Sequence, residues 1–130
     1  MPTDNIEKVK EFLRNREPIF HHRDLTNTRE EADNEMHKDY WEIGASGKLY
    51  TRGFILNFLE ERYKNEMIDE MVTENWKITE FKVQHLAGDI YMATYILNGQ
   101  NRLTRRTTLW KGNLNKGFQA LYHQGTIMQQ

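Results

Sequence analysis

Apolar positions in the front half of the chain recur at helical spacing. In NIEKVKEFLRNREPIFHH the residues Ile6, Val9, Phe12 and Leu13 form one stripe, which predicts an amphipathic helix with one buried face and with Asp4 or Asn5 as its cap. Pro18 disfavours helical geometry at Glu17, so the helix should end or kink there. A polar run follows, and Thr28 with Glu31 three residues later makes a capping box for a short second helix. In TRGFILNFLEERYKNEMIDEM the spacing of Phe54, Phe58 or Leu59, and Arg62 or Tyr63 predicts a third helix. Between the second and third lies YWEIGASGKLY, which opens as a short strand over 40–44 and breaks at Gly44 and Gly47.

The back half changes period. Trp76 to His85, Ile90 to Leu97, Arg102 to Trp110 and Phe118 to Ile127 are rich in β-branched and aromatic residues and are separated by AGD, NGQN and KGNLNKG. They predict four successive antiparallel strands. Any even-length loop at NGQN places Tyr91, Ala93, Tyr95, Leu97, Thr104, Arg106, Thr108 and Trp110 on one face. Ile90, Met92, Thr94, Ile96, Leu103, Arg105, Thr107 and Leu109 then share the other. Neither set is a plain solvent face. The helices supply one cover, and the simplest second cover is another copy of the chain, which predicts a homodimer. Helices first and a meander afterwards make an α+β layer.

Composition narrows the reading further. With 130 residues, 38% apolar and 28% charged, the chain fits one domain spanning residues 1–130 with enough bulky side chains for a core. A net charge of −1 provides no field for nucleic acid or an anionic membrane surface, and no apolar run approaches a membrane span. The absence of cysteine excludes disulfides and thiolate chemistry and suits a reducing compartment. The expectation is a cytoplasmic protein that binds neither nucleic acid nor membrane.

The element order and the words REPIF (16–20), YWEIGASGKLY (40–50), TRRTTLW (104–110) and YHQGT (122–126) resemble the nuclear transport factor 2-like superfamily. They look like its domain-of-unknown-function 4440 branch, whose relatives include SnoaL-like cyclases and ketosteroid-isomerase-like enzymes. The resemblance implies an α+β cone with three N-terminal helices packed on a curved antiparallel β-sheet, a pocket at the open end, and commonly a dimer across the sheet. Relatives on this fold range from isomerases and dehydratases to binding modules, so fold alone does not assign activity. The acidic pair or His/Asp dyad of the enzymatic relatives has no motif-level counterpart in this chain.

Several residues are candidates for chemistry. Glu42 sits among Tyr40, Trp41 and Ile43, where a carboxylate is out of place on a half-buried strand. It is read either as a general base or ligand-binding group with a raised pKa, or as a structural partner of Arg105 or Arg106. The expected arrangement has Glu42 pointing into the cone and held by an arginine of TRRTTLW. His123 is a candidate proton shuttle or a satisfied core histidine, and if the opposite strand parity holds, Gln124 takes its place in the pocket. Arg105 and Arg106 must point to opposite faces, so one of them is available to an anion or to Glu42. Tyr40, Trp41, Tyr91, Tyr95, Trp110 and Phe118 favour an apolar, aromatic-lined pocket. HHRD at 21–24, with His37 and Asp39, matches no metal signature, and there is no phosphate loop, dinucleotide fingerprint or nucleophile elbow, so neither metal nor cofactor is expected. The functional reading is a protein that binds a small organic ligand, with Glu42 and His123 as candidate catalytic residues. Trp41, Tyr95, Arg105, Arg106, Trp110 and Gln124 are the candidate ligand contacts. The alternative is a cofactor-free isomerase, cyclase or dehydratase using a single acid-base residue, Glu42 or His123.

Overall fold

The computed structural model describes residues 4–19, 27–64, 76–99 and 102–129. Helix α1 (Ile6–Arg14) is capped by Asn5, whose side-chain oxygen accepts the backbone N–H of Glu7 at 2.9 Å and of Lys8 at 3.3 Å. The other cap candidate, Asp4, instead accepts the N–H of Leu114 at 2.7 Å and ties the start of the chain to the far hairpin. Val9 and Leu13 are fully buried, Phe12 is half-buried and Ile6 is exposed, so the stripe sinks into the core along its length. The helix stops ahead of Pro18, and the Glu17–Pro18 peptide bond is cis. Helix α2 (Arg29–Glu35) begins at Thr28, which accepts the Glu31 N–H at 3.1 Å while the Glu31 carboxylate reaches back to the Asn27 N–H at 2.9 Å.

Strands β1 (Met36–Ile43) and β2 (Leu49–Thr51) come before helix α3 (Arg52–Lys64), so among the described residues two helices precede the sheet rather than three. The buried face of α3 is also offset from the expected one. Ile55, Leu56, Leu59 and Arg62 point inward, while Phe54 and Phe58 are exposed and stack outside, Phe54 on Tyr50 at a ring separation of 5.1 Å and Phe58 on Phe54 at 6.5 Å. Of the residues whose spacing predicted the helix, Leu59 and Arg62 are on the buried side and Phe54 and Phe58 are not.

The remaining strands are β3 (Lys77–Ala87), β4 (Ile90–Gly99), β5 (Arg102–Asn113) and β6 (Gly117–Ile127). All six form one curved sheet in the order β2-β1-β6-β5-β4-β3. The four-strand meander pairs antiparallel as its turn signals required, and Tyr91↔Trp110, Ala93↔Thr108, Tyr95↔Arg106 and Leu97↔Thr104 face each other. The sheet is not purely antiparallel, however: β1 runs parallel to β6. Parallel neighbours need a long crossover, and α3 with four strands intervenes between them, so β1 can fill the open edge of the meander in that direction.

At the β5–β6 turn, Gly112 has φ +146°, and a Cβ there would lie 2.0 Å from the Gly117 carbonyl oxygen, so only glycine permits the close approach. Farther along β6 the register shifts between Leu109↔Tyr122 and Trp110↔Ala120, leaving Leu121 without a partner. This bulge lets Phe118 and Ala120 on one side of it, and His123 on the other, all turn toward the helices. The core lies between the helices and that face, where Val9, Leu13, Ile55 and Leu59 meet Tyr40, Tyr91, Tyr95, Trp110 and Phe118.

Candidate functional site

The helix-covered face of the sheet carries a chain of polar side chains inside this apolar core. Glu17, 1% exposed, leaves α1 and is held by side chains of β4 and β5. Its carboxylate accepts from Tyr95 Oη at 2.8 Å, Trp110 Nε1 at 3.0 Å and the Ile19 N–H at 3.2 Å, and it is also hydrogen-bonded to the Thr108 hydroxyl. Burial raises its pKa above the usual carboxylate value, and these donors partly offset the shift.

Thr108 Oγ1 lies 2.7 Å from His123 Nδ1, and His123 Nε2 lies 3.2 Å from Arg106 Nη1. A guanidinium can only donate, so Nε2 accepts; the ring proton is assigned on that ground to Nδ1, which donates to Thr108, whose hydroxyl donates onward to Glu17. The result is a directed series of hydrogen bonds from Arg106 through His123 and Thr108 to Glu17. Arg106 Nε donates to Thr104 Oγ1 at 3.0 Å, and the guanidinium rests over Gly125, where a Cβ would come within 3.2 Å of Cζ and Nη1. Burial lowers the Arg106 pKa from its usual value.

Glu42 stands opposite His123 in the parallel β1–β6 register, on the same face. Its direct partner is the Tyr40 hydroxyl, which donates to Oε1 at 2.7 Å; no hydrogen bond or ion pair joins it to Arg106 among the described residues. The expected arginine clamp is thus replaced by a tyrosine two residues away on the same strand, which reaches Glu42 without crossing strands. Burial raises the Glu42 pKa, while the Tyr40 hydrogen bond and the Arg106 charge hold it down. Tyr40 is itself pushed well above its ordinary value, by burial first and by the Glu42 charge next, so its hydroxyl keeps the proton that it donates.

Of the residues singled out from the sequence, Glu42, His123, Arg106, Tyr95 and Trp110 share this face. Trp41, Arg105 and Gln124 do not. Trp41 is 43% exposed on the outer face, its ring 4.5 Å from Tyr122, and Tyr122 bonds Gln124 there. Arg105 alternates with Arg106 and is exposed on that outer face. The bulge at Leu121 is the reason Gln124 faces outward while the earlier members of its parity set, Phe118 and Ala120, are buried.

Glu17 was missed because Pro18 explained the residue before it as a helix stop. The available signal was the one that drew notice to Glu42, a carboxylate set against an apolar run, here Pro18–Ile19–Phe20. His21, His22, Arg23 and Asp24 lie outside the described residues. His37 Nδ1 and Asp39 Oδ2 are 3.7 Å apart, and among the described residues no group of three or more His, Cys, Asp or Glu could hold a metal ion. No helix among them is long and apolar enough to cross a membrane.

No family model matches the sequence, and no curated protein matches it. Solved structures do resemble the fold. A nuclear transport factor 2-like protein of unknown function in nutrient uptake from Rhodospirillum rubrum is 14% identical with TM-score 0.62, covering 97% of this chain and 100% of its own. A candidate ketosteroid isomerase from Parabacteroides distasonis is 13% identical with TM-score 0.65, covering 99% and 96%. A cystatin-like fold protein from Burkholderia xenovorans is 13% identical with TM-score 0.66, covering 96% and 92%. Likeness at such low identity speaks for architecture and not for chemistry. The chain has the α+β nuclear transport factor 2-like, or cystatin-like, fold, with three helices on a six-stranded curved sheet.

Proposed function

We propose that this protein binds a small organic ligand on the helix-covered face of its sheet, against Glu42, Arg106 and His123, with Tyr95 and Trp110 as the aromatic floor. The observation that carries the reading is the convergence on one face of a half-buried carboxylate, a half-buried guanidinium and a buried imidazole, drawn from three adjacent strands. Such groups cost stability when withdrawn from water, and a convergent polar set in an apolar surround is the usual make-up of a ligand site. The words of sequence that resemble the domain-of-unknown-function 4440 and SnoaL-like branch support the same reading.

A second reading is favoured by Glu42 and His123 standing opposite each other in register. A carboxyl whose pKa is raised by burial, beside a histidine with an assigned tautomer, suits a cofactor-free isomerase, cyclase or dehydratase with Glu42 as its acid-base group. The absence of cysteine supports a cytoplasmic setting, and the two-sided sheet supports a homodimer.

A thermal-shift screen of organic acids, steroids and aromatic polyketides tests the binding reading, since a ligand that prefers the folded state raises the melting temperature. The expected hit loses its effect in Glu42→Gln or Arg106→Gln but keeps it in Arg105→Gln. Hits that are indifferent to both inner-face changes would place the ligand elsewhere. Turnover of a hit that disappears in Glu42→Gln while binding persists would select the enzymatic reading.

A further inference from the structure

Among the described residues Arg106 has no counter-ion at bonding distance. Its Nε donates to a threonine hydroxyl and its Nη1 to a histidine nitrogen, both neutral acceptors, and among the described residues no carboxylate forms an ion pair with it. The two carboxyls that share its face are committed elsewhere. Glu17 is saturated by Tyr95, Trp110, Ile19 and Thr108, and Glu42 is bonded to Tyr40, so each reaches Arg106 only through its field. The side chain is nevertheless held in place, by Thr104, by His123 and by the flat backbone of Gly125 beneath it. It is half-buried, so its outer edge remains open. A fixed, partly desolvated guanidinium with unused donors is a receptor for a planar anion, because its fork matches the two oxygens of a carboxylate.

We propose that the ligand of this site is a small organic anion whose carboxylate, or equivalent planar oxyanion, seats on the open edge of Arg106. This rests on the small-molecule reading above and gives it a chemical class. His123 contributes by accepting from Nη1 and so holds that edge of the fork in place. Thr104 does the same for Nε. Neither neutralises the charge.

The test uses matched probes, benzoate against benzamide and phenylacetate against phenylacetamide, titrated by calorimetry into the wild-type chain, Arg106→Gln, Arg106→Lys and the outer-face control Arg105→Gln. Circular dichroism of each variant checks that it is folded. The expected result is that each acid binds at least about tenfold more tightly than its amide to wild type and Arg105→Gln, since a charge-assisted pair is worth that much or more. Arg106→Gln should lose the preference, and Arg106→Lys, which keeps the charge without the fork, should retain only part of it. Equal binding of acid and amide, or an acid preference unchanged in folded Arg106→Gln, overturns the anion assignment while leaving small-molecule binding intact. Failure of both acids to bind wild type at millimolar concentration also overturns it, and binding by the neutral amides or by steroids then decides the broader reading separately.

Discussion

A single buried carboxylate shows how much depends on one atom type. Glu17 receives an indole N–H on Oε2 and a backbone N–H on Oε1, and neither donor can reverse its role. An amide has one oxygen and an NH₂ group that accepts nothing, so Glu17→Gln leaves either the Trp110 or the Ile19 donor unsatisfied in a dry site. We expect a loss of about 1–3 kcal/mol of unfolding free energy in urea titrations under mildly acidic conditions. The pH dependence has a definite sign. Burial raises the folded-state pKa above the unfolded value of 4.5, so the folded chain holds this proton more tightly and gains stability below that value. That stability is lost as pH rises through the raised folded-state pKa. The gap between wild type and Glu17→Gln should therefore narrow toward neutral pH, and a gap that widens would contradict the raised pKa. Glu42 was legible in the sequence as an anomaly among aromatic neighbours; its partner was not, because a hydroxyl two residues away competes with any cross-strand arginine and wins by proximity.

At the scale of elements, the turn between β5 and β6 and the inner face of α3 make opposite predictions. Gly112→Ala forces a Cβ onto a carbonyl oxygen in a backbone conformation that L-residues rarely adopt, so it should cost more than about 2 kcal/mol, measured as a lowered denaturation midpoint. A near-neutral result would mean that the hairpin can reorganise around the added methyl. Arg62, on α3, is 5% exposed, and its Nε and Nη2 have no hydrogen-bond partner among the described residues; its Cζ lies 5.5 Å from the centre of the Phe58 ring. Burial lowers its pKa, the mark of a cation that its surroundings do not solvate. Arg62→Met keeps the length and removes the charge, so it should raise stability by about 1–2 kcal/mol in chemical denaturation. A loss instead would show that the guanidinium has a stabilising role. Strand periods were legible because alternation is a local property. The Leu121 bulge was not, since the consecutive apolar residues Ala120, Leu121 and Tyr122 suit either face; it is the demand to bury both Ala120 and His123 that requires it.

On the scale of the whole molecule, the outer sheet face remains apolar after the helices have covered the other. Trp41, Met92, Leu103, Leu109 and Tyr122 lie on it, and all but Trp41 are only half-exposed in a single chain. Contiguous apolar surface of this kind is expected to be covered in solution, and a second copy packed sheet against sheet is the economical cover. Sedimentation equilibrium should give a dimer at high micromolar concentration, and Leu109→Glu, which places a charge in the middle of that face, should give a folded monomer. A monomeric wild-type chain would refute the packing. Dimerisation through this face would leave the Arg106 site untouched, since the two lie on opposite sides of the sheet.

What the sequence determined by itself is local: a cap at Asp4 or Asn5 and another at Thr28, the stop near Pro18, the strand breaks, and the Tyr91–Trp110 hairpin with its two faces. Each follows from interactions between residues close along the chain, whose geometry the period and the turn chemistry already contain. The tertiary structure alone decided that β1 runs parallel beside β6, that α3 buries its aliphatic rather than its aromatic side, and that Glu17 meets Trp110 across 93 residues. It also decided which of two adjacent arginines faces the helices. Those outcomes are choices among alternative long-range contacts, and they are settled by which one buries the most apolar surface while leaving the fewest buried donors without an acceptor.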